Sequence, residues 1–243
     1  MPARFALAGT NPFARSSYRA VGRKACGSRV RARGRRNMTI LEDVKKLAEK
    51  ATGIGRPKPR ALANLVRERK AASFRFKDDG VVPNHPRWPL VYYRGAVHLA
   101  DGVDPAAVFE NLFERNGWAD SWRNGVYDYL HYHSAIHEVM GVARGTAVVR
   151  FGGRRGRKLR VKAGDVVVLP AGTGHQCFSA SKDFLVVGAY PAAGKYDVCR
   201  TSPEEHARAI KTVPKVVPPR RDPVYGKHGR LLKLWRRTAR SAA

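Results

Sequence analysis

The sequence predicts an all-β domain preceded by a short helical extension and carrying one inserted helix. Three observations predict it. From Phe74 onward the apolar runs are short and regularly broken by turn residues: Asp79-Gly80, Pro83-Asn84, Arg94-Gly95, Gly152-Gly153, Ala163-Gly164-Asp165 and Pro170-Ala171-Gly172. Such punctuation belongs to strands joined by tight turns. Before Phe74 the apolar spacing is helical instead, and a single helical stretch interrupts the strand-like region after Asp104.

Taken in order, residues 1–37 hold ten basic residues and no acid among many Ala, Ser and Gly. That composition buries too little apolar surface to fold alone. It reads as a disordered basic leader, a transit-like segment or an over-extended start whose true beginning is Met38. Residues 38–73 read as a helical extension. Thr39 and Glu42 have capping-box spacing, and Leu41, Val44, Leu47, Ala48 and Ala51 follow at helical intervals. A second helix is expected from Pro59 to Ala72, with Leu62, Leu65 and Val66 on one face. Residues 74–200 form the β domain. Its inserted helix starts at the Asp104 cap with Pro105 first, buries Val108, Phe109, Leu112 and Phe113, and ends at Asn116-Gly117. Residues 201–243 are a basic extension whose Leu231, Leu232, Leu234 and Trp235 are expected to pack back onto the barrel.

The chain of 243 residues carries a formal charge of +28, which raises nucleic acid as a partner. The distribution argues against it. Residues 1–74 hold 19 Lys and Arg against 4 acids and residues 207–243 hold 11 against 1, so residues 75–206 are left at +3. The basicity sits at the ends, without a recognised nucleic-acid-binding element. No run approaches the roughly 18 apolar residues of a membrane helix. The three cysteines, Cys26, Cys177 and Cys199, have no paired spacing, so neither a disulfide framework nor a thiolate metal site is indicated and a reducing, cytoplasmic setting is expected. The oligomeric state is left open, a homodimer included.

The chemistry concentrates in histidines. If 126–133 is a strand, alternation puts Tyr127, Tyr129, His131 and His133 on one face. After a turn at Ser134-Ala135, Glu138, Met140 and Val142 form the next alternating set and could bring the Glu138 carboxylate beside the imidazoles. His137, one residue earlier, points the other way and reads as structural. Downstream, Asp165–Pro170 reads as a buried strand, and Ala171-Gly-Thr-Gly174 as a tight loop delivering His175 with Cys177 and Ser179 on its face. Three neutral imidazoles and one carboxylate suit Mn, Fe, Ni, Co or Zn and leave coordination positions for water or substrate.

Two spacings carry a resemblance. Gly125-x5-His131-x-His133-x4-Glu138-x6-Gly145 is similar to the first motif of the cupin superfamily, and Gly164-x5-Pro170-x-Gly172-x2-His175 to the second. Ser179 stands where cupins often have Asn, a position that is not a metal ligand in the family. The surrounding text, including Asp78-Asp-Gly-Val-Val-Pro-Asn84 and Phe184–Pro191, resembles a YjlB-like group of single-domain bacterial cupins of unassigned activity. The resemblance implies a double-stranded β-helix, or jelly roll, and one divalent metal ion on His131, His133, Glu138 and His175. It does not imply a reaction.

Tyr127, Tyr129, Met140 and Cys177 are candidates for the wall of a small-molecule pocket, with core filling an equal reading for each. Two functions fit. One is a metal-dependent enzyme acting on a small organic molecule, either as an oxygenase or by Lewis-acid chemistry such as isomerisation. The alternative is a non-catalytic cupin that binds or senses a small ligand.

Overall fold

The structure is a computed structural model and describes residues 59–240. The leader and the helix expected after Thr39 lie outside the described residues, as does Cys26. The elements are α1 (Pro59–Leu65), β1 (Ala71–Phe74), β2 (Leu90–Tyr93), α2 (Pro105–Arg115), β3 (Trp118–Asn124), β4 (Glu138–Arg144), β5 (Thr146–Phe151), β6 (Arg157–Lys162), β7 (Val166–Leu169), β8 (His175–Ala180), β9 (Leu185–Pro191), α3 (Pro203–Thr212) and α4 (Arg230–Arg240).

The strands form two antiparallel sheets, one of six in the order β1-β2-β7-β4-β9-β3 and one of three in the order β6-β5-β8. Period-two alternation sorts the side chains. Leu90, Tyr92, Met140, Val142, Val167 and Leu169 face inward from the larger sheet, against Ala147, Val149, Phe151, Leu159 and Val161 of the smaller. Val91, Tyr93, Val139, Val166, Val168, Val187 and Ala189 point outward and are also buried, because α2 and the C-terminal segment cover that face. Double coverage explains the unbroken apolar run of β7, whose four residues are all buried. The expected jelly roll is the observed architecture.

Local chemistry fixes the helices. The Asp104 side chain accepts from Ala106 N–H at 3.0 Å, and α2 ends where Gly117 adopts φ +78°. Phe109 lies so close over β4 that a Cβ at Gly141 would stand 2.3 Å from its Cδ1. The helix expected to run to Ala72 stops at Leu65 instead. The Leu65 carbonyl accepts from His98 N–H at 2.7 Å and Arg67 N–H donates to Ala96 at 2.8 Å, so the chain leaves helical geometry to meet 96–98 and then enters the sheet as β1. Tertiary pairing outweighs the modest helical propensity of this stretch.

The C-terminal extension is anchored from behind the larger sheet. Asp222 is fully buried and accepts from Val224 N–H at 2.8 Å, Tyr225 N–H at 3.0 Å, Leu231 N–H at 3.2 Å and the Tyr93 hydroxyl. Trp235 stacks on Trp88 at 5.0 Å and donates its indole N–H to the Pro89 carbonyl at 3.0 Å. His137 is wholly buried beside both rings on this outer face, 4.8 Å from Trp235 and 5.4 Å from Trp88, and accepts from Ala171 N–H at 2.8 Å.

Candidate metal centre

The segment carrying the first two histidines is not a regular strand. His131 pairs with His175 through two backbone hydrogen bonds of 3.2 and 2.9 Å, Tyr132 pairs with Cys199, and the Tyr127 carbonyl accepts from Cys177 N–H at 2.8 Å. The segment thus borders β8 without a continuous ladder. Alternation nevertheless survives. Successive ring centroids of Tyr127, Tyr129, His131 and His133 are 4.8, 5.5 and 5.8 Å apart. The neighbouring Glu138 opens β4 facing inward with Met140 and Val142, and His175 opens β8, its ring 4.0 Å from that of His131.

The donors converge. His131, His133 and His175 are buried, and one donor atom from each lies within 4.8 Å of the others. His133 Nε2 and His175 Nε2 each stand 3.4 Å from Glu138 Oε2. The far side of each ring is held by a main-chain carbonyl: His131 Nδ1 by Tyr129 at 3.1 Å, His175 Nδ1 by Thr173 at 3.1 Å, and His133 Nδ1 by Asp197. A carbonyl only accepts, so each Nδ1 carries the proton and each Nε2 keeps its lone pair for the centre.

This arrangement fits a divalent ion. Donors about 2.1 Å from a common ion are separated by about 3.0–3.4 Å at right-angle to tetrahedral spacing, which the two carboxylate–imidazole distances match. Glu138 Oε2 is buried with no hydrogen-bond partner, a costly state that a cation at this point would relieve. Burial, together with repulsion from the neighbouring imidazoles, lowers His131 to about 2; burial likewise lowers His175 to about 4, so both rings are neutral near pH 7. Burial would raise Glu138, but His133 and its partners hold it at about 2. His133 goes the other way: burial opposes its charge, yet Glu138 raises its pKa above the ordinary value.

Around the donors stands an aromatic wall. Tyr127 and Tyr129 stack at 4.8 Å beside His131, and the Arg200 guanidinium lies 3.9 Å from the Tyr129 ring centre. Two further tyrosines complete the wall. Tyr190 and Tyr196 pack 6.1 and 5.3 Å from the His133 ring, and the Trp122 indole donates to the Tyr190 hydroxyl at 2.8 Å. Tyr190 follows from alternation along β9, since Val186 and Gly188 face inward before it. Trp122 reaches the interior because β3 bulges between Ala119 and Trp122, with Asp120 at φ +51°, so that Trp118 and Trp122 face opposite sides. Of the other candidates, Met140 is buried in the interior packing, and Cys177 is half-buried with its thiol 3.5 Å from the Ser179 carbonyl of its own strand.

The loop after β9 holds His133 in place. The Asp197 carboxylate accepts from the backbone N–H of Ser134 at 3.0 Å and of Ala135 at 3.1 Å, and from the Ser134 hydroxyl at 2.6 Å. Its own carbonyl is the one bound by His133 Nδ1. Nothing local to residues 192–200 announced this role.

Comparison with known proteins identifies the family. A family model described as Cupin matches residues 121–212. The "Uncharacterized protein YjlB" of Bacillus subtilis (strain 168) is 42% identical over 168 residues, covering 69% of this chain and 98% of that protein. The chain belongs to the YjlB-like cupins. Among solved structures, a single-substitution variant of the oxalate decarboxylase of Bacillus subtilis aligns at 17% identity and a TM-score of 0.30, over 49% of this chain and 29% of that one. An acireductone dioxygenase from Bacillus anthracis with a cadmium ion in its active centre aligns at 18% identity and a TM-score of 0.27, over 38% of this chain and 64% of that one. Among the described residues of this YjlB-like cupin, no helix is long and apolar enough to cross a membrane.

Proposed function

We propose that this YjlB-like cupin is a metal-dependent enzyme acting on a small organic molecule. One divalent ion is held by His131, His133, His175 and Glu138, and substrate enters past Tyr127, Tyr129, Tyr190 and Tyr196. The observation that carries the reading is the convergence of the three imidazoles, each with its Nδ1 proton spent on a carbonyl and one donor atom within 4.8 Å of the others, with His133 and His175 Nε2 each 3.4 Å from the unpartnered Glu138 oxygen. When bound, the ion would supply Lewis-acid or redox chemistry at a position open to substrate. The chain's own contribution is orientation and exclusion of water. The carbonyls of Tyr129, Thr173 and Asp197 fix the rings, the Trp122–Tyr190 pair bounds the pocket, and the tyrosine rings offer flat apolar surface with hydroxyls for hydrogen bonding.

Metal content of protein purified without chelator or affinity-tag histidines should be about one ion per chain, and turnover should follow metal identity across a metabolite panel assayed with and without oxygen. Oxygen consumption with iron or manganese supports an oxygenase; anaerobic turnover with zinc or nickel supports isomerase-type chemistry. One observation favours a binding or sensing role instead: the buried carboxylate of the site, Glu138, is itself one of the converging donors, which leaves it no independent acid-base role. Tight binding of a metabolite with no conversion under either atmosphere would decide for that role.

A further inference from the structure

The near-neutral balance of the central region hides a segregation of charge that the fold brings to one face. Residues 75–206 are net +3, yet residues 144–182 hold nine Lys and Arg against a single acid, leaving the remainder of that region at −5. The acid, Asp165, is fully buried, with its carboxylate bound to the Tyr92 hydroxyl and to the N–H groups of Gly95 and Lys162. Among the described residues, none of the nine cations has a carboxylate within ion-pair distance.

Strand register sets several of these cations on the outer face of the smaller sheet. Lys158 lies opposite Arg150, which lies opposite Gln176; Arg160 lies opposite Val148; Lys162 lies opposite Thr146. The alternate residues, Val149, Phe151, Leu159 and Val161, are the buried ones. Like charges directly opposed across a sheet cost stability, and Arg150 and Lys158 are so placed. Both sit against the ring of Phe178, at 4.8 and 4.1 Å from its centre, while that ring is 44% exposed on β8. A face with three cations spaced about 7 Å along β6, Arg150 beside them on β5 and an exposed aromatic on β8 presents two recognition elements together.

We infer that the outer face of β6-β5-β8 binds single-stranded nucleic acid, with Lys158, Arg160 and Lys162 on phosphates and Phe178 stacking on a base. Cations tracking the backbone and an aromatic platform are what a single strand needs, because its bases have free faces. A duplex hides those faces, so Phe178 would find no base to stack on. A second copy of this chain across a two-fold axis would set these cations against their own kind, which disfavours a dimer through this face.

The test uses the full chain and a fluorescein-labelled oligo-dT of about 20 nucleotides, read by anisotropy from about 50 to 200 mM salt. Charge reversal of the sheet (K158E, R160E and K162E together) should weaken binding at least about tenfold and flatten the salt dependence by about two in log–log slope. Phe178→Ala should weaken it about fivefold or more with the slope unchanged. Reversing three exposed cations of the C-terminal extension (K211E, R220E and K227E) should matter far less. The neutral triple variant K158Q, R160Q and K162Q, checked for an unchanged melting temperature, should lose affinity by a smaller factor and so separates binding from folding. The inference is overturned by no binding at 50 mM salt, by equal loss from the extension variant, or by a matched duplex binding as tightly as the single strand. Phe178-dependent retention on phosphatidylserine vesicles, stronger than on the oligonucleotide, would overturn it in favour of a membrane surface.

Discussion

Glu138 is the residue at which burial and charge are least easily reconciled without a cation. It is 2% exposed, its Oε2 lacks a hydrogen-bond partner, and three imidazoles surround it. Changing His131 and His133 together to Ala is expected to reduce metal from about one ion per chain to background in elemental analysis. Metal-free protein still has the imidazolium–carboxylate attraction that raises the His133 pKa above its ordinary value, so near and below that value an incoming ion must displace a proton. Affinity is therefore expected to weaken by about tenfold for each pH unit below that pKa, because one bound proton is exchanged. His131 and His175, lowered to about 2 and about 4, add nothing until strong acid. Calorimetric titration between about pH 5.5 and 7.5 checks this, and a flat profile contradicts it. Asp197 acts one bond further out. Asp197→Asn keeps the volume and the main-chain carbonyl bound by His133 but removes a carboxylate that anchors the turn at Ser134 and Ala135; acting through the turn and not on the ring itself, it is expected to weaken metal binding by about tenfold, the low end for an outer partner. Competition with a chelating dye measures that loss, and an unchanged affinity together with an unchanged Co(II) spectrum would remove Asp197 from the site.

At the scale of elements, what the sequence makes legible is what period and motif encode. Glu138 and His175 open strands, His131 and His133 lie on an extended segment whose alternation is visible, and the four side chains do converge; the inserted helix has its cap and its stripe where spacing put them. Three features were not legible. The end of α1 depends on 96–98 offering backbone partners some thirty residues away. The inward turn of Trp122 depends on a bulge, which shifts parity without altering composition. Tyr196 and Asp197 belong to a loop whose importance lies in what it touches, the His133 ring and the turn after it. Elements also transmit volume. Gly141→Ala would place a Cβ 2.3 Å from Phe109 Cδ1, between a sheet strand and a helix that cannot both stay in place. Overpacking of this kind costs about 1–3 kcal/mol. Denaturant melts should show a lower midpoint with the slope unchanged, and an unchanged midpoint would mean that α2 shifts freely.

For the whole molecule, the informative arrangement is the one behind β4. His137 precedes Glu138, and alternation sends it to the opposite face, where it meets Trp88 and Trp235 and where His85 stacks on Trp88 at 4.3 Å. The C-terminal extension thereby closes the outer face of the same sheet whose inner face holds the Glu138 carboxylate. Burial lowers both His85 and His137 to about 3, so in the folded protein they stay neutral through mild acid. In the unfolded chain they protonate near 6.5. The unfolded state thus binds more protons below that pH, and stability must fall as pH drops from about 6.5 toward 3, by up to about 1.4 kcal/mol per pH unit for each histidine. Removing Trp235 opens this layer. Trp235→Ala is expected to cost about 3–5 kcal/mol, a drop of roughly 6–20 °C in melting temperature for a chain of this size. Water admitted beside His137 would also bring its pKa back toward the ordinary value. The variant's melting temperature should therefore fall less steeply between pH 6 and 4 than that of the parent chain. A variant that is less stable by the same amount at both pH values would show that the stack stabilises the fold without shielding the histidine.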